Sequence, residues 1–86
     1  MKHLEKPLKA LANRRRLAIL RYIKKSREAT VGDIAEEIRL SFKSTSRHLA
    51  ILRSADLLER EQKSRLAYYR LSGDTRTVIK NVIDEL

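Results

Sequence analysis

The hydrophobic and polar positions between residues 41 and 54 predict an amphipathic helix near the middle of the chain. Thr45, Leu49 and Leu52 recur at i, i+4 and i+7, which puts them on one buried stripe. The opposite face is short, polar and basic, and consists of Lys43, Ser46, Arg47, Ala50 and Ser54. Small hydroxyl side chains let a helix approach a groove, and lysine or arginine beside them reaches phosphates or guanine. This helix is therefore a candidate DNA-reading element.

The residues before this helix predict a shorter helix and a tight turn. Thr30 and Asp33 have the spacing of a capping box. The apolar stripe that follows consists of Val31, Ile34, Ala35 and Ile38. Arg39-Leu40 is then the connecting turn, and Ser41 is a suitable N-cap for the next helix. Helix, short turn and helix in this order set a recognition helix in the major groove.

Two strands are predicted after the candidate DNA-reading helix. The segments Leu57 to Gln62 and Leu66 to Leu71 are separated by the loop Lys63-Ser64-Arg65, which carries two cations. Tyr68 and Tyr69 are expected at core positions of the second strand, with their hydroxyls at the edge. A helix-turn-helix followed by a hairpin with a basic tip predicts a winged helix. The expected fold is therefore mainly α, of the α+β class, with a two-stranded wing.

The N-terminal part of the chain predicts two more helices. Pro7 fits the first turn of a helix better than its interior, so we expect the first helix to run from about Pro7 to Ala12. Asn13 is a good N-cap for a second helix that ends at Lys24-Lys25, and Ser26 to Ala29 is a polar connection. The run Arg14-Arg15-Arg16 is interpreted as a solvated face in preference to a phosphate contact.

The C-terminal segment from Asp74 to Leu86 predicts an amphipathic helix with a wide apolar stripe. The stripe consists of Val78, Ile79, Val82, Ile83 and Leu86. It either packs on its own domain or meets a partner chain. We favour the partner because the helix-turn-helix and wing already have a core, and because twofold homodimers are common.

Composition limits the class of protein and its partners. With 86 residues the chain is expected to form one domain, residues 1–86, whose small core would gain from dimerisation. There are 20 Lys and Arg residues against 11 acidic ones, a net charge of +9, which favours a polyanionic partner; a membrane surface is the rival explanation. No apolar run could span a bilayer and no signal-peptide pattern is found, so we expect a cytoplasmic protein.

Four segments in order resemble the ArsR family of bacterial and archaeal repressors. They are Leu11 to Leu20, Leu40 to Leu49, Leu52 to Leu58 and Tyr68 to Leu71. The resemblance implies a homodimeric winged-helix transcriptional repressor, often released from its operator by a metal ion, with the first and last helices at the dimer interface. This chain departs from the family pattern before Arg16, where a proline and a threonine are usual.

The metal ligands of the resembled family are missing from this chain. Thr30 and Gly32 stand where the family has two cysteines, and the chain contains no cysteine. The second family site uses Asp and His on the last helix, but no histidine follows His48, which leaves Asp74, Asp84 and Glu85. Carboxylates alone bind zinc-like ions poorly. We therefore predict no transition-metal sensing and no cofactor, and the sequence identifies no effector.

Two residues of the candidate DNA-reading helix have open interpretations. His48 lies on its flank, where packing or a structural hydrogen bond is as plausible as a DNA contact. Phe42 stands where the family often has a polar residue. It either meets a thymine methyl group or folds back as a hydrophobic staple, and we favour the staple.

Two classes of function remain, because the chain shows no catalytic triad and no glycine-rich phosphate loop that would indicate an enzyme. The favoured function is a sequence-specific regulator that binds double-stranded DNA. It would read the major groove with Lys43, Ser44, Ser46 and Arg47, and contact the backbone with Arg53, Lys63 and Arg65. The alternative is a winged helix that binds protein or RNA, since the fold alone does not decide between them.

Overall fold

Five α-helices and a three-stranded antiparallel sheet make up the computed structural model, which describes all residues from Met1 to Leu86. The helices are α1 (Lys2–Leu11), α2 (Arg14–Ser26), α3 (Val31–Ile38), α4 (Phe42–Ser54) and α5 (Thr77–Asp84). The strands are β1 (Ala29–Thr30), β2 (Leu58–Lys63) and β3 (Leu66–Leu71). Helices α3 and α4 form the helix-turn-helix and β2 and β3 the wing, which confirms the predicted fold class.

Both helices of the helix-turn-helix have a side-chain cap at the N-terminus. The Thr30 hydroxyl accepts a hydrogen bond from the Asp33 amide at 3.2 Å, and the Asp33 carboxylate accepts one from the Thr30 amide at 3.3 Å. The Ser41 hydroxyl caps α4 by accepting from the Ser44 amide at 3.1 Å. Arg39 ends α3 in a left-handed conformation, with φ of 56°, and turns the chain towards α4. The predicted capping box and the predicted Ser41 cap are both present.

Helix α1 begins at Lys2, so the prediction that it begins at Pro7 is wrong. Pro7 lies inside the helix and is buried. Because proline has no amide hydrogen, the carbonyl of His3 lacks its usual donor one turn later. His3 is exposed, so water can bond to that carbonyl. Solvent access on one side and burial of the proline ring on the other explain why the helix tolerates Pro7.

A short strand that the sequence did not predict joins the wing to the helices. Ala29 and Thr30 pair antiparallel with Tyr69 and Tyr68 of β3, and the strand order is β1-β3-β2. The interpretation of Ser26 to Ala29 as a polar connection is therefore wrong at Ala29. A two-residue strand is too short to show any alternation of apolar and polar side chains.

The wing is a hairpin with a two-residue loop. Pairing between β2 and β3 runs from Leu58 opposite Leu71 to Lys63 opposite Leu66. Lys63 therefore belongs to β2, and the loop consists of Ser64 and Arg65. Ser64 has φ of 59°, the sign of φ that such tight hairpin turns require.

One hydrophobic core of 14 buried residues extends from Ala10 to Ile83 and includes side chains from every helix. Its fully buried centre includes Ile19, Leu20, Ile23, Ile34, Leu49, Leu52, Leu57 and Ile79. Helix α5 is fixed to this core through Ile79 and Ile83. Its C-terminal end is also held by Lys24, whose ammonium donates to the Asp84 carbonyl at 2.8 Å.

Candidate nucleic-acid interface

The outer face of α4 is exposed and carries no negative charge. Lys43 and Arg47 are exposed, Ser44 and Ser46 are half-buried beside them, and Arg53 is exposed in the last turn. Neither Lys43 nor Arg47 takes part in any of the four ion pairs of the protein. No Asp or Glu occurs between residues 39 and 54. This face thus presents unpaired cations and hydroxyls on a rigid helix, as contact with phosphates and base edges requires.

The N-terminal turn of α4 adds to the positive potential of this face. It contains no acidic residue, although helices generally favour Asp or Glu there. The Ser41 hydroxyl satisfies one of the free amides of the first turn. The unopposed helix dipole and the remaining amides favour a negatively charged group near this end.

The two wing cations differ in their surroundings. The Lys63 ammonium lies 3.1 and 3.2 Å from the two carboxylate oxygens of Glu28 and 5.0 Å from the centre of the Tyr68 ring. Arg65 is exposed in the two-residue loop and belongs to no ion pair. Of the two wing cations predicted to contact the DNA backbone, only Arg65 is therefore free to do so without breaking an existing ion pair.

A second group of charges on the wing forms ion pairs within the wing. Arg70 lies opposite Glu59 in the sheet, and its guanidinium contacts Glu59 at 3.2 Å and Glu61 at 2.7 Å. The hydrogen bond from Arg70 to Glu61 raises the pKa of Arg70 further above its ordinary value, with smaller contributions from the charges of Glu61 and Glu59. This cluster cannot be found from the sequence alone, because the pairing appears only when the register of the hairpin is known.

Arg16 is not part of a solvated face, which corrects the interpretation of the arginine run for this residue. Its Nε donates to the Ala10 carbonyl at 2.6 Å, and its Nη1 lies 3.4 Å from Nδ1 of His48 on α4. Arg14 and Arg15 are exposed, as the sequence indicated. Helical phase could have identified Arg16, since the buried Ile19, Leu20 and Ile23 follow it at i+3, i+4 and i+7.

The contact with Arg16 gives His48 a structural role. Burial lowers the pKa of His48 from its ordinary value of 6.5, and the charges of Arg16 and Arg15 lower it further. A neutral imidazole can accept a hydrogen bond at Nδ1 from the guanidinium. His48 therefore joins α4 to the rest of the fold, which is the packing interpretation rather than the DNA contact.

Phe42 does not form the hydrophobic staple that we favoured. Its side chain is 64% exposed at the first position of α4. A staple would bury the ring against the following turn of the helix. The alternative interpretation, an apolar contact with DNA, remains for this residue.

The structure divides the five predicted dimerisation residues into two groups. Ile79 and Ile83 are buried in the core of their own chain, and Leu86 packs against its edge. Val78 and Val82 lie one helical turn apart on the outside of α5 and are 50% and 36% exposed. Only this valine pair is available to a partner chain without unpacking the core.

Neither a metal-binding cluster nor a helix that could span a membrane is found. No group of three or more His, Cys, Asp or Glu side chains is arranged to hold a metal ion. None of the five helices is long and apolar enough to cross a membrane.

Comparisons with known proteins agree with the resemblance found in the sequence. Residues 13–60 match the family model described as bacterial regulatory protein, arsR family. The chain is 37% identical over 79 residues to the transcriptional activator HlyU of Vibrio cholerae, covering 92% of this chain and 69% of HlyU. It is 36% identical over 76 residues to the transcriptional repressor SdpR of Bacillus subtilis, covering 88% of this chain and 80% of SdpR.

Solved structures give the same result. The structure of reduced HlyU from Vibrio cholerae superposes with a TM-score of 0.84 and 34% sequence identity, covering 99% of this chain and 85% of HlyU. A homodimeric winged helix-turn-helix DNA-binding domain from Mycobacterium bovis superposes with a TM-score of 0.85 and 28% identity, covering 98% of this chain and 74% of that chain. By its matched residues, its relatives and its fold, the chain belongs to the arsR family of bacterial regulatory proteins.

Proposed function

We propose that this protein is a transcriptional regulator that binds double-stranded DNA as a homodimer, with α4 as its recognition helix. The observation that carries the proposal is the outer face of α4, where Lys43 and Arg47 are exposed and unpaired in a stretch without acidic residues. Relatives that are named as transcriptional regulators support it. We propose repression as its mode of action, as the family resemblance implies.

The roles of the individual residues follow from their positions. We assign Lys43, Ser44, Ser46 and Arg47 to base edges in the major groove, because they lie in the first half of the recognition helix. We assign Arg53 and Arg65 to the DNA backbone, because both are exposed cations away from the first turns of α4. We propose that Lys63 contacts a phosphate only after its ion pair with Glu28 is broken.

Dimerisation would set two recognition helices on one side of the duplex. A twofold dimer places such helices about 34 Å apart, which corresponds to half-sites separated by about 10 base pairs or a multiple. The exposed valine pair Val78 and Val82 supports a contact through α5. The homodimeric relative from Mycobacterium bovis supports the same assembly.

The remaining expectations follow from this function. We propose that residues 1–86 act as one domain, since one core joins all five helices. We propose no catalytic activity, because the relatives are regulators, and a cytoplasmic location, because a regulator must reach the chromosome. We also propose that transition metals do not regulate its DNA binding, because Thr30 and Gly32 stand where the resembled family has its two cysteines.

Selection of bound duplexes from a random pool tests this function. We expect an imperfect inverted repeat, because each protomer of a twofold dimer reads one half-site. The selected duplex is then challenged with an excess of unrelated duplex and, separately, of single-stranded RNA. If both competitors displace it as well as the unlabelled selected duplex does, the protein is not a sequence-specific DNA regulator.

A further inference from the structure

Phe42 is an exposed aromatic residue at the end of the recognition helix. It is the only phenylalanine of the chain, it is the first residue of α4, and 64% of its surface is exposed. The Ser41 cap directly before it fixes the start of the helix. The ring therefore stands on a rigid base, although it contributes nothing to the hydrophobic core of the protein.

The surroundings of Phe42 are polar and basic. Its neighbours in the first turn are Ser41, Lys43 and Ser44, and Ser46 follows one turn later on the same flank. No exposed large apolar residue lies within eight positions of it, since the nearest along the chain, Ile51, is in the third turn of α4. A contiguous exposed apolar patch would instead indicate a protein-binding surface. The Phe42 ring, with serine hydroxyls and the Lys43 ammonium as its sequence neighbours, is suited to contact a small apolar group on an otherwise polyanionic surface.

The position of Phe42 at the N-terminus of α4 suits contact with the bases. Cα–Cβ bonds tilt towards the N-terminus of a helix, so a side chain in the first turn extends past the helix end. The N-terminal residues of a recognition helix are those that contact base edges. In the major groove the 5-methyl group of thymine is the apolar feature of the base edges, and phenylalanine is one of the side chains that contact it.

We propose that Phe42 is a specificity-determining residue that contacts the methyl group of one thymine in each half-site. This inference rests on the proposed function and adds to it the base that one residue recognises. Ser46 lies one turn further along the same flank, so the thymine lies beside the base pair that Ser46 approaches. Phe42 selects for thymine by burying the methyl group, and Lys43 and Arg47 bind independently of that contact.

Replacing thymine by uracil in the selected duplex tests the proposal, because this change removes the methyl group and leaves base pairing intact. Each thymine of the half-site is replaced in turn, and the dissociation constant is measured for the wild type and for Phe42→Ala. We expect one replacement per half-site to weaken wild-type binding about fourfold, the value for one buried methyl group. We expect Phe42→Ala to bind the thymine and uracil duplexes equally.

Ile51→Ala is the matched control, because Ile51 is an exposed apolar residue of the same helix, 43% exposed and away from its N-terminus. This variant should retain the full preference for thymine. Circular dichroism should show that both variants are folded, since neither side chain is in the core. The proposal is overturned if no thymine replacement weakens wild-type binding, or if Phe42→Ala keeps the wild-type preference. Failure of the wild type to select any duplex would instead overturn the proposed function.

Discussion

Arg16 and His48 lie 32 residues apart in the chain, and their side chains meet with 3.4 Å between Nη1 and Nδ1. The same guanidinium donates to the Ala10 carbonyl at the end of α1. Arg16 therefore connects α1, α2 and the recognition helix α4 through one planar group. This connection depends on a neutral His48, because a protonated imidazole can no longer accept at Nδ1 and is repelled by the guanidinium.

We expect the free energy of unfolding to decrease as the pH falls below 6.5, in part because of His48. Burial, Arg16 and Arg15 lower its pKa in the folded protein from 6.5, so the unfolded chain binds the proton more readily. The stability that the neutral imidazole contributes is present above pH 6.5 and is lost towards the lower, folded pKa. Urea unfolding from about pH 8 to about pH 5 should show that the free energy of unfolding depends less steeply on pH in His48→Asn than in the parent protein.

The exposed His3 offers the matched control for this experiment. His3→Asn makes the same substitution at an exposed position and controls for the loss of one histidine. If His48→Asn and the parent show the same pH dependence, the coupling of His48 to Arg16 does not contribute to stability.

Arg47→Ala should reduce the preference for the selected duplex over random DNA. We expect a loss of about 1 to 3 kcal/mol of discrimination, because arginine in the recognition helix pairs with a base edge. Equilibrium binding to both duplexes at one salt concentration measures the difference. Equal losses on the two duplexes would assign Arg47 to a phosphate instead.

Arg65→Ala should weaken binding to all duplexes and reduce the magnitude of the salt slope by about 1, as loss of one phosphate contact does. Glu28→Gln should have the opposite effect, because it releases Lys63 from its ion pair at the wing. The pair itself is half-exposed and should contribute less than about 1 kcal/mol to stability. Binding measured over a series of salt concentrations gives both slopes. A slope unchanged by Arg65→Ala would remove the wing tip from the interface.

Val78→Glu combined with Val82→Glu should dissociate the dimer and leave the monomer folded. Both valines are exposed on one side of α5, and a twofold contact would bring the introduced carboxylates of the two chains together. Sedimentation of the variant and the parent measures assembly, and circular dichroism measures folding. Ile83→Glu is the contrasting variant and should unfold the chain, because Ile83 is in the core. A parent that is already monomeric, or a double variant that stays dimeric, would exclude this surface from the interface.

Thr45→Val should raise the free energy of unfolding by about 1 kcal/mol, because an unpaired buried hydroxyl is costly and valine has nearly the same shape. Thr45 is fully buried on α4, and its Oγ1 has no hydrogen-bond partner. Thr45→Ser keeps the hydroxyl and removes the methyl group, so it should lower stability instead. Urea unfolding of the three proteins tests this, and a destabilised Thr45→Val would mean that the hydroxyl is satisfied in solution.

The local features of this protein could be predicted from its amino-acid sequence. The spacing of Thr45, Leu49 and Leu52 defines the buried side of α4, and all three are buried. Thr30 with Asp33, and Ser41, begin their helices as predicted. These features could be predicted because a helical period and a cap depend on residues within one or two turns of each other.

Contacts between residues far apart in the chain determine what these elements pack against. The wide stripe of α5 predicts that Ile79 and Ile83 are buried, but not that they join the core of their own chain. The pairing of Lys63 with Glu28 brings together residues 35 positions apart and depends on the path of the chain. Likewise, β1 exists only because β3 lies beside it, since two residues form no stable strand alone. The period of the hydrophobic residues predicts which face of an element is buried. The residues that bury this face depend on contacts between distant parts of the chain.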